Sequence, residues 1–567
     1  MIKEVYHIIP LHFRAALRSN LVIGMVNQIL DFISVIVLLP VVLAIINPMG
    51  TVGNFHYNVP FTKLIAEHPI AVLCIVVVFF LIKNFISVKI IKRQSNYYYA
   101  VSSQLSLNLL ENFLQKPFVE VKSEKNSTLI KDIVFIPNNF VSYVLSPLSQ
   151  LLSDGFLIAL IITGSAFINP LATLLLIAIA GSIVCGLYLY DRKKLNAINN
   201  EVEKKYNHNF SHLLNTVNGY IEIKTNRLEK YFLEKFSKSN SELNKIYSAL
   251  TTNRLAKPKY TETFLIIIIA FLFVASKYII KDHRLNVLFV SFLFAASIKI
   301  IPAINRILIS LTNVKANLYT MEILRREARN FEPDRQAENE LSFNDQIALK
   351  KISFGFHDSN PLLANAELTV KKGELVGIIG KSGIGKSTLI NILTTLLEPD
   401  SGVVCCDGIA IGRDNNQLFL EKISYVPQMP FIMEGTIRDN LILAKNTTDE
   451  RLLEIYLELF ELDRIIDALP QKLETFIGSN GYNLSGGQLQ RIAIIRALLR
   501  NPEILILDEA LNQLDIALRQ RIAAVIRQRA IEQHLTIITV SHNQSELANF
   551  CDHVYELRNG NLQLLTV

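Results

Sequence analysis

Only five cysteines occur in 567 residues, and none stands in a C-x-x-C pair or at a Cys/His ligand spacing. That scarcity excludes a disulfide framework and predicts reduced thiols with no cysteine-built metal site. Nor is a removable leader expected. The first apolar segment, 18–46, is too long for one, is interrupted by Asn27, Gln28 and Asp31, and is not followed by a small-residue cleavage site, so it is expected to persist as a helix. Acidic residues are few in the apolar segments, with Asp31 and Asp154 in their interiors, which speaks against a cavity for organic cations. The net charge of +7 points to no nucleic acid, because basic cytoplasmic loops of a membrane protein account for it.

What the chain has in abundance is hydrophobic length. Half its residues are apolar, and they concentrate before residue 310. Crossing ~30 Å of hydrocarbon takes about 20 helical residues, and stretches of that kind recur near 18–46, 70–91, 141–166, 171–190, 260–280 and 285–310. Lys3, Arg14, Arg18, Lys89, Lys92, Arg93, Arg192, Lys193 and Lys194 flank the ends that face one side together, which places both termini in the cytoplasm. Lys277, Lys281 and Arg284 run against that majority. The long connections 92–140 and 195–259 keep helical periodicity, so helices two to five are expected to continue well past the bilayer. An outer segment, VPFTKLIAEHP at 59–69, reads equally as a surface-lying amphipathic helix or an ordered loop.

From Arg325 to Asn344 charge rises and hydrophobicity collapses, the pattern of a linker. The expected organisation is a polytopic α-helical membrane domain over 1–324, a linker over 325–344, and an α/β nucleotide-binding domain over 345–567. The last opens with IALKKISFGF and AELTVKKGELVGIIG, which read as strands.

In that domain GIIGKSGIGKST, 377–388, follows an apolar strand and precedes the helical LINILTTLL. The spacing G-x-x-x-x-G-K-[ST] from Gly380, through Ser382 and Gly383, to Gly385, Lys386, Ser387 and Thr388 is that of a phosphate loop. Backbone N–H groups close on phosphate oxygens, Lys386 reaches the terminal phosphates, and the Ser387 hydroxyl suits Mg²⁺. ILILDEA, 504–510, ends a buried strand in two carboxylates. Asp508 suits magnesium, and Glu509 is placed to take a proton from an attacking water. NLSGGQLQRIAIIRALL, 483–499, offers a second anion site at a helix start through Ser485, Gly486, Gly487 and Gln488.

LSGGQ beside a phosphate loop and a strand ending in Asp-Glu resembles the ATP-binding cassette superfamily, and six membrane helices ahead of one cassette resemble its bacterial half-size exporters. The resemblance implies ATP and Mg²⁺ as ligands, coupled ATP hydrolysis, residence in the cytoplasmic membrane, and a partner copy whose LSGGQ closes over the ATP. It identifies Tyr425-Val-Pro-Gln428 with the glutamine loop that senses Mg²⁺ and the nucleophilic water. Ser541-His542 matches the switch histidine, Phe356 the aromatic on adenine, and Asn512 to Asp515 the D-loop. Two departures stand out: Asn512-Gln-Leu-Asp515 replaces the usual SALD, and Ser479 stands where glutamate is common. One complete motif set favours a homodimer, with a heterodimer left open.

For cargo, Lys83 and Lys299 lie at matched depth in helices two and six, and Lys259 at the inner start of helix five. A charge at such depth costs about 2.5–3.5 kcal/mol and normally faces a cavity or a partner. The run LFAASIKIIPAINRILIS and PKYTETFLII resemble flippases of lipid-linked oligosaccharides, which implies a cavity holding a pyrophosphate, with lysine here in place of arginine. The sequence reads as helices from its start, with no leader-cleaving protease domain expected ahead of them, which argues against the peptide exporters of that kind. General lipid or drug export, peptide export, and an ATP-gated channel or regulator remain as alternative readings.

Overall fold

The computed structural model describes residues 2–46, 69–123, 126–279, 283–329, 341–356, 361–412, 414–443, 449–478 and 484–565. Residues 59–68 of the outer segment, Lys281 and Ser479 lie outside them. The chain divides into two units, residues 1–116 with 120–332, and residues 117–119 with 333–567.

The first unit is helical: α1 Ile2–Ile8, α2 Leu11–Ile46, α3 Pro69–Gln115, α4 Phe118–Ser123, α5 Asn126–Phe140, α6 Ser146–Ile168, α7 Pro170–Asn218, α8 Tyr220–Thr225, α9 Glu229–Ile279, α10 His283–Ala316 and α11 Leu318–Arg329. Helices α3, α7 and α9 hold 47, 49 and 51 residues. At 1.5 Å per residue each is over 70 Å long, more than twice the ~30 Å of hydrocarbon. A π-helical turn, Val141–Leu145, joins α5 to α6 between Pro137 and Pro147, so this helix too runs on without a break. Pro170 begins α7 and the Asn169 side chain accepts from the Ala172 N–H, a start that suits a residue with no N–H of its own.

Among the described residues four helical stretches are long and apolar enough to span a bilayer: Leu11–Leu39, Ile70–Gln115, Thr128–Ile168 and Val287–Ala316. The expected spans at 171–190 and 260–280 fall in α7 and α9, many of whose side chains lie outside the description.

One boundary needs correction. Helix α11 runs to Arg329, five residues into the segment expected to be a linker. Its charges are paired and not merely solvated: Arg325 meets Glu4 at 3.1 Å, Lys116 meets Glu327 at 3.1 Å, and Asn112 donates to the Glu327 carbonyl at 3.0 Å. Met321 and Leu324 on the same helix join an apolar core with Val5, Leu105 and Phe140.

The second unit is α/β. Its strands are β1 Gln346–Phe354, β2 Leu363–Lys371, β3 Leu375–Ile379, β4 Ser401–Cys406, β5 Ile409–Ala410, β6 Ile423–Val426, β7 Gly435–Thr436, β8 Phe476–Ile477, β9 Ile504–Asp508, β10 Thr536–Val540, β11 His553–Arg558 and β12 Asn561–Leu565. They form a six-stranded sheet ordered β12-β11-β3-β10-β9-β6, a four-stranded antiparallel sheet β2-β1-β4-β5, and a β7-β8 pair. From β11 to β6 every pairing is parallel. Strands β3, β9 and β10 are buried almost throughout, which is why they read as continuous apolar runs rather than alternating ones. One core packs the helix Lys386–Leu393 between β3 and the antiparallel sheet. Another lies on the opposite face under the helix Gly486–Leu499. The helix after the phosphate loop stops at Leu393, short of the expected LINILTTLL, with Thr395 at φ 56°.

Asp407 ties down the start of this unit. Its carboxylate accepts the N–H groups of Asn344, Asp345 and Gln346 at 2.5–2.9 Å. Partial burial pushes its pKa up, but the three N–H donors outweigh that and hold it below the ordinary carboxylate value. A depressed native pKa gives stability that is present above the unfolded value and lost as pH falls through the native one. Asp407→Asn should therefore lower the melting temperature at pH 7, with the difference from the native chain shrinking as the pH drops below about 4, as calorimetry of both proteins across that range would register.

Candidate nucleotide site and intramembrane charge cluster

Parallel pairing brings the carboxyl ends of β3, β10, β9 and β6 to one edge of the sheet, where ligands of open α/β sheets bind. The loop Gly380–Gly385 leaves β3, Gln428 follows β6, Asp508 and Glu509 end β9, and Ser541-His542 follow β10. Left-handed backbone at Gly383 (φ 79°) and Gly385 (φ 113°) turns the loop back on itself. A Cβ at Gly385 would come within 2.9 Å of the Leu362 side chain, so glycine is required there twice over. The Lys386 ammonium, only 7% exposed, lies inside this loop and donates to the carbonyls of Gly380 at 2.7 Å and Lys381 at 3.2 Å. Ser387 and Thr388 open the following helix, while Ser382 is exposed on the loop.

Two carboxylates organise the rest. Glu509, nearly buried, accepts from Gln428 Nε2 at 2.8 Å and from Asn512 Nδ2 at 3.4 Å, and its other oxygen meets His542 Nε2 at 2.8 Å. Its φ is 52°, a backbone state that costs a side-chain-bearing residue energy and is typical of functional sites. Asp508 accepts from the Tyr425 hydroxyl at 3.1 Å and the Ser387 hydroxyl at 3.5 Å, both on Oδ2. Burial, followed by the neighbouring Glu509 charge, raises the Asp508 pKa. An all-oxygen pair of Ser387 and Asp508, with Gln428 nearby through Glu509, fits a hard cation such as Mg²⁺.

Ser485 caps the helix Gly486–Leu499 in a reciprocal box with Gln488, at 2.7 and 3.3 Å. The amides of Gly486 and Gly487 open that helix next to the Gln513 backbone and side chain, which would obstruct a Cβ at either glycine. Phe356 lies just past the end of β1, 44% exposed and edge-on to Phe354 at 5.0 Å. The contacts of Tyr425 with Asp508 and of Asn512 with Glu509 were not foreseen from sequence. The alternation of β6, which turns Tyr425 outward between buried Ser424 and Val426, was the available signal for the first.

Residues 363–512 match the family model described as ABC transporter. The chain is 31% identical over 216 residues to the mitochondrial iron-sulfur clusters transporter ATM1 of Candida albicans, covering 38% of this chain and 28% of that one. It is 33% identical over 217 residues to the transport/processing ATP-binding protein ComA of Streptococcus pneumoniae, covering 38% and 30%. The matched stretches thus span about a third or less of the relatives' lengths. A solved bacterial Atm1-family ABC exporter with ATP bound superimposes with a TM-score of 0.80 over 97% of this chain and 95% of that one, at 18% identity. The fold is that of an ABC exporter. Within it, the phosphate loop, Gln428, Asp508, Glu509 and His542 lie at the strand ends just described, and Ser485 to Gln488 at a helix start.

In the membrane unit of this exporter fold, Lys83 and Lys299 meet on one carboxylate, Asp31, at 2.5 and 2.7 Å. Close by, Arg306 holds the fully buried Asp154 through two nitrogens, at 2.7 and 3.0 Å, and Gln28 and Gln150 donate to the same group. Asp31 therefore links α2 to α3 and α10, and Asp154 links α6 to α2 and α10. Lys259 is not part of this cluster; it is exposed on α9 and faces Glu262 at 3.4 Å. Breaking one partner of a buried pair costs about 3–5 kcal/mol because the other charge is stranded. Asp31→Asn should lower the melting temperature of the detergent-solubilised protein by several degrees. Adding Lys83→Met, which removes the stranded charge, should recover part of that loss in the same thermal-shift measurement.

Proposed function

We propose that the chain is one half of an ATP-driven exporter of the cytoplasmic membrane and works as two identical copies. The observation that carries this reading is the gathering of Gln428, His542 and Glu509 within 2.8 Å contacts beside the phosphate loop, in an ABC exporter fold. In the proposed mechanism the amides of Gly380–Gly385 and the Lys386 ammonium hold the ATP phosphates. Ser387, Asp508 and Gln428 hold Mg²⁺, which when bound neutralises charge on the phosphate oxygens. Phe356 stacks on the adenine, and Ser485, Gly486, Gly487 and Gln488 of a second copy cover the γ-phosphate. Glu509 takes the proton from the attacking water, and His542 orients it. Closure of the two nucleotide domains drives the membrane helices to open outward.

The cargo reading rests on charge. Three cations, Lys83, Lys299 and Arg306, share two carboxylates, Asp31 and Asp154, which leaves one positive charge within the apolar bundle. Lys299 and Arg306 are the more exposed of the cations. An uncompensated cation at such depth is expensive, and an anionic headgroup would relieve it. A lipid-linked oligosaccharide or a similar anionic glycolipid meets that requirement. Lys259, outside the cluster, drops out of this part of the proposal.

Two measurements separate the parts. Glu509→Gln should lower steady-state ATPase by about two to four orders of magnitude, the range for a general base; full turnover in that variant would remove Glu509 from the mechanism. In proteoliposomes with a fluorescent lipid-linked oligosaccharide, Lys299→Ala should abolish flipping while ATPase persists. A native chain that hydrolyses ATP but ignores this lipid would overturn the cargo and leave the ATPase reading standing.

A further inference from the structure

The most specific contact that the family motifs do not explain is the one from the Tyr425 hydroxyl to Asp508 Oδ2, at 3.1 Å. Its geometry is set by the sheet. Tyr425 on β6 is the register partner of Ile506 on β9, two residues before Asp508, so Tyr425, Ile506 and Asp508 share one face of the sheet. A phenol is long enough to reach forward from that rung to the strand end. Phenylalanine at 425 would fill the same space and offer no donor.

Asp508 is otherwise poorly provided for. It is only 6% exposed. Among the described residues its hydrogen-bond donors are Tyr425 and, at the longer 3.5 Å, Ser387. Both donate to Oδ2. That arrangement stabilises the carboxylate, fixes its rotation, and leaves Oδ1 for another ligand. Tyr425 also lines a shallow cavity of about 170 Å³ together with Pro427, Phe431, Arg496 and Arg500.

We propose that Tyr425 is a positioning residue for the magnesium-binding carboxylate: its hydroxyl holds Asp508 aimed, and so sets the Mg²⁺ concentration at which nucleotide is held. This rests on the assignment of Asp508 to magnesium given above, and goes beyond it by adding a residue that touches neither metal nor nucleotide. Loss of a partner that orients a metal ligand typically costs 10–100-fold in metal affinity. A hydrogen bond to a charged group is at the strong end of the scale.

The test uses the full-length protein in nanodiscs, with binding of a fluorescent ATP analogue followed as Mg²⁺ is titrated. Tyr425→Phe should raise the Mg²⁺ concentration for half-maximal enhancement by about tenfold, while binding in EDTA matches the native chain. With Mn²⁺ as probe, the electron paramagnetic resonance signal of the bound ion should also be weakened in the variant at the same free Mn²⁺. Equal weakening with and without metal would mark a merely structural role and overturn the proposal. So would an unchanged Mg²⁺ titration. Asp508→Asn provides the control for the underlying assignment: if it leaves the Mg²⁺ dependence intact, the magnesium assignment itself fails, whatever Tyr425→Phe does.

Discussion

Parallel pairing of β3, β10, β9 and β6 is the constraint on which the nucleotide-facing half depends. In a parallel sheet every strand delivers the residue after its last rung to the same edge, and each return to the start requires a crossover. Residues far apart in the chain therefore converge without any loop having to search for them. Ser387 and Asp508 are 121 residues apart in sequence and within hydrogen-bonding distance in space; Gln428 and Glu509 are separated by 81. The register fixes the depth as well: Val540 pairs with Asp508, and Ile378 with Val540, so the loops after β3, β9 and β10 leave at one level. A shift of one residue in any of these pairings would turn a functional side chain to the opposite face.

The membrane half obeys a different constraint, that charge in hydrocarbon must be answered locally. Lys83, Lys299 and Arg306 in the α2–α3–α6–α10 bundle each meet a carboxylate within 2.5–3.0 Å. Asp31 joins α2, α3 and α10 and Asp154 joins α2, α6 and α10, so each carboxylate specifies helix neighbours and rotation, which apolar packing in a lipid solvent specifies weakly. Small residues do the complementary work. At Gly164 a Cβ would sit 3.1 Å from the Phe292 ring and 3.3 Å from that of Phe32, and that close approach lets α2, α6 and α10 share one apolar cluster.

Much of this was legible in the sequence because the signals were local. The phosphate loop, the Asp-Glu strand end and the LSGGQ helix start are each contained within a dozen residues, and the apolar runs state their own length. What was not legible depended on relations between segments. Lys83, Lys299, Arg306, Asp31 and Asp154 all stand out singly, but which acid meets which base is decided by helix rotation, and no spacing along one helix encodes it. The charged run after Arg325 has the composition of a linker because its partners, Glu4 and Lys116, lie more than 200 residues away. Tyr425 looks like part of a motif until the register with β9 sets it against Asp508.

The state of Glu509 shows why these relations matter to the chemistry. The Glu509 carboxylate is held by Gln428, Asn512 and His542 at once, and these partners belong to three different loops, after β6, β9 and β10. Its orientation is therefore a function of loop arrangement and not of the residue alone. The strained φ of 52° at Glu509 fits the same logic, since strain at one residue persists only where its neighbours over-determine it. Release of any one of these partners would loosen the restraint on the carboxylate, so its freedom to move is set by the loops around it and not by Glu509 alone.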